Sequence, residues 1–399
     1  MNASFRLVAP LVSAVVLSAC SGGSSNIPGA TSAPAAQRHS IAMPDWEAKG
    51  LARRACETSR RGEAQCLALI QSKGGLDPAI AGWAPADIEA RYNLPSSTNG
   101  SGQIVAVVDA LDEPNASSDL ATYRNEFGLG TANFTKYNQT GQMQNYPVSC
   151  ASRYGGGWCV EEDLDIEMVS AACPKCTIYL IEANSQNPSD LETAEAEAVT
   201  LGAHIISNSW YCNGVGCASP SYFESPGVEY LFASGDDGYG VYEEPAVFGS
   251  VVSVGGTVLS KSGSTYSETA WDGSGSDCAT NIAKPSWQHD PDCTGRTEAD
   301  ISAVAWQLAE YDSNEGGWFT VGGTSAAAPI NAGVFGLAGN ASSQNAAEKF
   351  WTLKKHKYKK DLHDITSGSN GNCGNYLCIA GKGYDGPTGW GTPNGIGAY

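Results

Sequence analysis

Residues 104–109, Ile-Val-Ala-Val-Val-Asp, are a continuous apolar run closed by an acid. A run this short is what a strand buried on both faces requires, and its carboxyl end is where open parallel sheets present their ligand groups. The chain on either side sustains the reading. Helical patterns over 117–127, 161–172 and 189–201 alternate with apolar runs over 177–182, 204–209, 228–234 and 251–254. This alternation predicts an α/β fold with a mostly parallel central sheet flanked by helices. The small polar and acidic residues after Val108, Ser207 and Ala233 fall at the strand ends where a site would form.

The net charge of −19 over 399 residues argues against nucleic acid or an anionic membrane surface as partner. It suits an exported enzyme working in acid, where carboxylates are partly neutralised. Residues 1–20 read as a bacterial lipoprotein signal: a weakly basic start, an apolar stretch too short to span a bilayer, then Leu17-Ser18-Ala19-Cys20. On that reading Cys20 carries a lipid, the sole membrane attachment expected; an ordinary export signal cut nearby is the alternative. Residues 21–44, rich in Ser, Gly, Pro and Ala, form a flexible tether. Residues 45–90 carry helical periodicity around Trp46, Leu51, Leu67 and Ile70, predicting a short disulfide-pinned helical segment. Residues 91–399 then form the main domain.

Of 13 cysteines, 12 remain once Cys20 is set aside, and they fall in close pairs: 56/66, 150/159, 173/176, 212/217, 278/293 and 373/378. Six short-loop disulfides in an exported protein is the economical reading. For Cys173-Pro-Lys-Cys176 a redox or zinc role stays open, without thioredoxin-like surroundings or a second ligand pair to support it. The basic run 354–360 reads as a solvated face.

Three stretches carry candidate chemistry. In Val321-Gly-Gly-Thr-Ser-Ala-Ala-Ala-Pro329, Ser325 stands where a glycine turn meets an apolar helix. A helix N-terminus offers free N–H groups and positive potential to an oxyanion, so a nucleophile fits there; a capped core helix is the alternative. In Glu161-Glu-Asp-Leu-Asp165, Glu161 and Asp165 are four apart, on one helix face. Two acids so held share a proton and can take one from a serine, although acids opening a helix also serve its dipole. Asp236, in Ser234-Gly-Asp-Asp-Gly238, follows a buried run; as a neutral acid it can donate to an oxyanion, and as a turn residue it needs no function. A histidine-based arrangement of Asp109, His204 and Ser325 is also possible, though His204 opens an apolar strand where a packed histidine is the commoner case.

Taken together, Glu-x-x-x-Asp, Ser-Gly-Asp and Gly-Gly-Thr-Ser-Ala-Ala-Ala-Pro, in this order on an α/β pattern, resemble the sedolisins, or serine-carboxyl peptidases. The resemblance runs from about Trp83 to the C-terminus and includes Ser207-Asn-Ser-Trp210 and Val254-Gly-Gly-Thr257; Ala299 stands where a proline is usual. It implies a subtilisin-like fold and cleavage of protein or peptide substrates by a monomer. Ser325 would be the nucleophile, Glu161 its base, Asp165 the orienting partner and Asp236 the oxyanion donor, with Trp210 near the substrate. It further implies one calcium ion held by the carboxylates of Asp364 and Asp385 and the carbonyls of Ile365, Gly381 and Gly383. One departure stands out: sedolisins commonly carry a long N-terminal propeptide, and only about 70 residues follow Cys20 before the catalytic region. The segment 45–90 would be a reduced pro-region, or this branch folds without a full one. The alternatives are an inactive peptide-binding homologue and the histidine-based protease.

Overall fold

The computed structural model describes residues 43–71, 81–152, 156–341 and 346–399; the leader, Cys20 and nearly all of the tether lie outside the described residues. The first described stretch departs from the helical expectation. It holds a one-turn helix, α1 (Asp45–Ala48), then three short strands, β1 (Ala52–Arg54), β2 (Ala64–Cys66) and β3 (Leu69–Gln71). Among the described residues of 45–90, the one helix of more than a turn is α2 (Pro85–Tyr92), which runs to the segment's end. The cause is tertiary. The disulfide Cys56–Cys66 closes β1 and β2 into a loop, and β2 and β3 each find a partner strand in the main body.

That body is built on β4 (Ile104–Ala110), the run from which the fold was read. Next come α3 (Ala116–Glu126), β5 (Asn133–Asn138), α4 (Gly157–Ala172), β6 (Thr177–Ala183), α5 (Pro188–Thr200), β7 (Ile205–Asn208), β8 (Trp210–Cys212) and β9 (Glu229–Ala233). Then follow β10 (Val251–Ser262), β11 (Thr265–Ala270), the pair β12 (Cys278–Ala283) and β13 (Gly295–Thr297), and β14 (Ile301–Val304). Then come β15 (Trp306–Asp312), β16 (Gly317–Gly322) and α6 (Thr324–Ala338), followed by two short helices, Ala346–Trp351 and Lys355–Asp361, and the two-residue strands Leu362–His363 and Thr392–Pro393, which pair with each other. The large sheet runs β11-β10-β9-β7-β4-β6-β5 with β14 beside β10. Every pairing in it is parallel except β10 with β11.

Alternation along β4 sorts the two cores. Val105 and Val107 pack with Val169 of α4 and Ile330 and Val334 of α6, whereas Ala106 and Val108 pack with Leu191, Ala194 and Ala198 of α5. Helices thus cover both faces, as a parallel sheet demands. Both α4 and α6 are buried almost end to end, so the site they carry lies inside the molecule. A second, antiparallel sheet, β1-β3-β16-β15, leads into α6. All six expected cysteine pairs are disulfides, Cys173–Cys176 included.

Candidate functional site

Helix α6 can start where it does because Gly323 has φ +113°, a conformation L side chains rarely adopt. The same glycine permits a close approach: a Cβ there would lie 2.6 Å from the Leu67 carbonyl oxygen and 2.9 Å from Asp236 Oδ2. Among the first N–H groups of the helix, that of Thr324 is taken by Asp236 Oδ1 at 2.8 Å, and that of Ser325 has no acceptor among the described residues. Ser325 is fully buried. Its hydroxyl makes no hydrogen bond of ordinary geometry, yet lies close enough to Glu161 to favour the charged carboxylate. Four residues on, Pro329 has no N–H for the Ser325 carbonyl, and the Ser209 hydroxyl approaches it instead, at 3.2 Å.

Glu161 and Asp165 lie together on α4, but that helix begins at Gly157, a full turn before Glu161, and its first turn holds no acid. The dipole explanation for the pair therefore loses its basis. Both are wholly buried. Burial, and then the charge of Asp109, push Glu161 well above the usual carboxylate range; burial, Asp109 and Glu161 do the same to Asp165. Asp109, at the carboxyl end of β4, has no hydrogen-bond partner on either oxygen and is itself raised to about 8 by burial. The expected pair is thus a trio that cannot all ionise. Asp109 was visible as the acid closing the apolar run, but nothing in the spacing joined it to residues some 50 positions away.

Proton positions follow from the partners. Ser209 Oγ lies 2.7 Å from Asp165 Oδ1 as well as near the Ser325 carbonyl. One hydroxyl hydrogen cannot serve both, so a protonated Asp165 donates to Ser209, and Ser209 donates to Ser325. Asp236 obeys similar logic. Its Oδ1 accepts from the Thr324 N–H and from the Thr324 hydroxyl at 2.9 Å, while Oδ2 is buried without a partner. Burial outweighs those bonds and the nearby Arg54 and raises Asp236 to about 7. Its proton then belongs on Oδ2, the oxygen facing Gly323 and the Leu67 carbonyl. His204 has no part in this. It is exposed, bonded to the Gly227 carbonyl, at the opposite end of β7 from Ser209, roughly 15 Å away along the strand.

The groove between these groups holds a peptide. Strand β2 pairs antiparallel with β8, and the Leu67 N–H extends that ladder to the Ser209 carbonyl at 3.1 Å. On the other side β3 pairs antiparallel with β16, Leu69 opposite Gly322. Between the ladders, Glu161 Oε2 accepts from the N–H of Leu67 at 2.8 Å and of Ala68 at 2.6 Å. Trp46 donates to the Asp236 carbonyl at 3.0 Å, and Arg54 pairs with Asp237 at 2.5 Å. Sequence reasoning singled out residues 45–90 but not these strands or their place against Glu161, because three-residue strands leave no periodic signal.

The C-terminal loop brings Asp364, Gly381, Gly383 and Asp385 close to one another. The Gly383 N–H donates to Asp364 Oδ1 at 3.1 Å, and the Gly381 N–H donates to Asp385 Oδ2 at 2.9 Å. The charge of Asp364 adds to burial in raising Asp385 to about 7. Among the described residues no backbone donor reaches the carbonyls of Ile365, Gly381 or Gly383. Two like charges beside three free carbonyls are a donor set that fits a hard cation such as calcium.

Residues 148–374 match the subtilase family. Kumamolisin of Bacillus sp. (strain MN-32) is 27% identical over 378 residues, covering 84% of this chain and 66% of kumamolisin. Sedolisin of Pseudomonas sp. (strain 101) is 27% identical over 355 residues, covering 78% of this chain and 60% of that protein. The chain thus spans about two thirds or less of the length of these curated relatives. The solved Pseudomonas sedolisin, in complex with pseudo-iodotyrostatin, superimposes with a TM-score of 0.67 at 26% identity, over 79% of this chain and 96% of that one.

Proposed function

The chain belongs to the subtilase family, in its sedolisin branch, and from that premise we propose that it is a serine-carboxyl endopeptidase active in acid. The observation that carries the reading is Glu161: one carboxylate oxygen holds both N–H groups of the Leu67–Ala68 peptide, and the carboxyl neighbours the Ser325 hydroxyl. In this reading Ser325 attacks the carbonyl and Glu161 takes its proton, later giving it to the departing amine. Asp165, through Ser209, fixes the first turn of α6, and Asp109 keeps a proton within the carboxyl cluster. Asp236 Oδ2–H and the Ser325 N–H receive the oxyanion. A neutral Asp236 is the reason for acid. Calcium, held by Asp364, Ile365, Gly381, Gly383 and Asp385, would brace the C-terminal loop. Export, with a lipid on Cys20, is part of the same proposal and is supported by the six disulfides.

Ser325→Ala tests the reading. At roughly pH 4 the wild type should cleave a denatured protein, and the variant should fold yet cleave none. Equal cleavage by both removes Ser325 from the chemistry. A wild type that cleaves nothing from about pH 2 to 8 identifies an inactive peptide-binding homologue instead.

A further inference from the structure

Helix α4 carries acids on both of its sides. Glu161 and Asp165 serve the Ser325 side, whereas Asp163, about 200° round the helix from Glu161, points the other way. The helix also packs against α3 and β15. Three carboxyl groups from separate parts of the chain meet: Glu113 in the loop after β4, Asp119 in the first turn of α3, and Asp163. Each offers an oxygen within 4.8 Å of an oxygen from each of the others, and all three residues are buried.

Hydrogen bonds hold two of the three. The Asn115 N–H donates to Glu113 Oε1 at 2.6 Å, and the Asn314 side-chain amide donates to Oε2 at 2.7 Å. The Ser313 N–H and hydroxyl both donate to Asp119 Oδ2, at 2.9 and 2.7 Å. Asp163 has nothing of the kind: it is fully buried, and neither oxygen has a hydrogen-bond partner among the described residues. Asp312, at the end of β15, adds its charge to that of Asp163, and its Oδ2 is likewise buried without a partner. No lysine or arginine among the described residues forms an ion pair with any of these four acids. Lys136, whose charge bears on Glu113, is paired with Asp112 and Glu182 instead.

A carboxylate at Asp163 therefore lacks both donor and counter-charge, and a neutral carboxyl there lacks an acceptor for its proton. Either form leaves a buried polar group unsatisfied. A cation among the oxygens removes both deficits. Calcium binds oxygens at about 2.3–2.6 Å, so carboxylates whose oxygens lie up to about 5 Å apart can share one ion. A thiolate metal does not fit: Cys150 and Cys159, also beside Glu113, are joined in a disulfide and leave a donor set of oxygen alone.

We propose that Glu113, Asp119 and Asp163, with Asp312 beside them, form a second divalent-cation site, of the chemistry calcium takes and separate from the C-terminal loop. The ion ties the loop after β4 and the start of α3 to the back of α4. Through Ser313 and Asn314 it also holds the β15–β16 turn, so the helix bearing Glu161 and the hairpin leading to Gly323 share one brace. Because its ligands are buried, the ion enters as the chain folds, and a chelator added to the folded protein leaves it in place. Chelator dependence of the folded protein then belongs to the C-terminal loop, where Gly381 and Gly383 are partly exposed.

The test counts ions. The full chain is prepared in calcium chloride at about pH 6.5 and desalted, and its metal content is read by atomic emission before and after exposure to EGTA. Circular dichroism checks the fold of each variant. Wild type should hold about two calcium equivalents, one of which EGTA removes and one of which is released only on unfolding in guanidinium. Asp385→Ala should keep the resistant ion alone, and Asp163→Asn the removable one alone. Glu113→Gln should match Asp163→Asn, and it carries the test from another element if Asp163→Asn does not fold. A wild type that loses all its calcium to EGTA overturns the site and leaves the C-terminal loop and the peptidase reading standing. So does a resistant ion that persists in both Asp163→Asn and Glu113→Gln. A wild type that holds no calcium overturns this site and the loop together.

Discussion

Asp236 carries the clearest single-residue consequence. Its folded-state value is raised to about 7, so below that pH Oδ2 holds a proton and can donate, and above it the donor is lost. The alkaline limb of the rate profile should therefore fall near or below pH 7. Asp236→Ala should lower kcat by about 10²–10³, the usual cost of one oxyanion donor, with a smaller effect on KM. Asp236→Asn, which keeps an N–H donor, should recover part of the rate and shed the limb near pH 7; an Asn variant with the wild-type profile would assign that limb to another group. Ser325, Glu161, Asp165 and Asp236 could be singled out as candidates because each sits in a local motif of helix-start, i,i+4 or strand-end character, and the fold places them near one another. Ser209 was quoted only as part of a matching stretch: its role as the bridge between Asp165 and the Ser325 carbonyl depends on Pro329 sparing that carbonyl, a fact about two elements rather than one motif.

At the scale of elements, the entry to α6 and the C-terminal loop make separate predictions. Gly323→Ala would put a Cβ against the Leu67 carbonyl and Asp236 in a backbone conformation that alanine resists. It should cost about 1–3 kcal/mol of stability in denaturant titration and abolish cleavage. Unchanged stability would show that the turn is less constrained than its φ implies. For the loop, a chelator should lower the melting temperature, and Asp385→Ala should remove that dependence; a chelator effect equal in wild type and variant would place the cation elsewhere. The strand–helix alternation from β4 to β10 was readable because each element is long enough to show its period. Residues 52–71 carry strands where a helix was expected, because the partners of β2 and β3 lie some 150 and 250 residues away, and their pattern serves those partners rather than a face of their own.

For the whole molecule the dominant fact is buried acid. Burial raises Asp109 and Glu182 to about 8 and Asp312 to about 6, and it raises Asp163, whose two oxygens have no partner, well above the usual range. A carboxyl whose folded value exceeds its unfolded one binds more protons in the native state. Its stabilising effect is therefore complete below about pH 4 and is lost as pH rises toward the folded value. The protein should melt higher at pH 4.5 than at pH 7.5, by about 5 °C or more. A higher melting temperature at pH 7.5 would show that partners other than protons neutralise these groups. Composition gives a net charge of −19, but only the fold shows that many of the acids lie inside.

The central claim is that a carboxylate, not a histidine, activates Ser325, and it is tested most directly by one pH–rate profile on a denatured protein substrate. The profile compares the wild type with Glu161→Gln and His204→Ala. The account predicts a wild-type optimum in acid, a fall of about 10³-fold or more in Glu161→Gln, and an unaltered profile in His204→Ala. Full activity in Glu161→Gln, or its loss in His204→Ala, would contradict it.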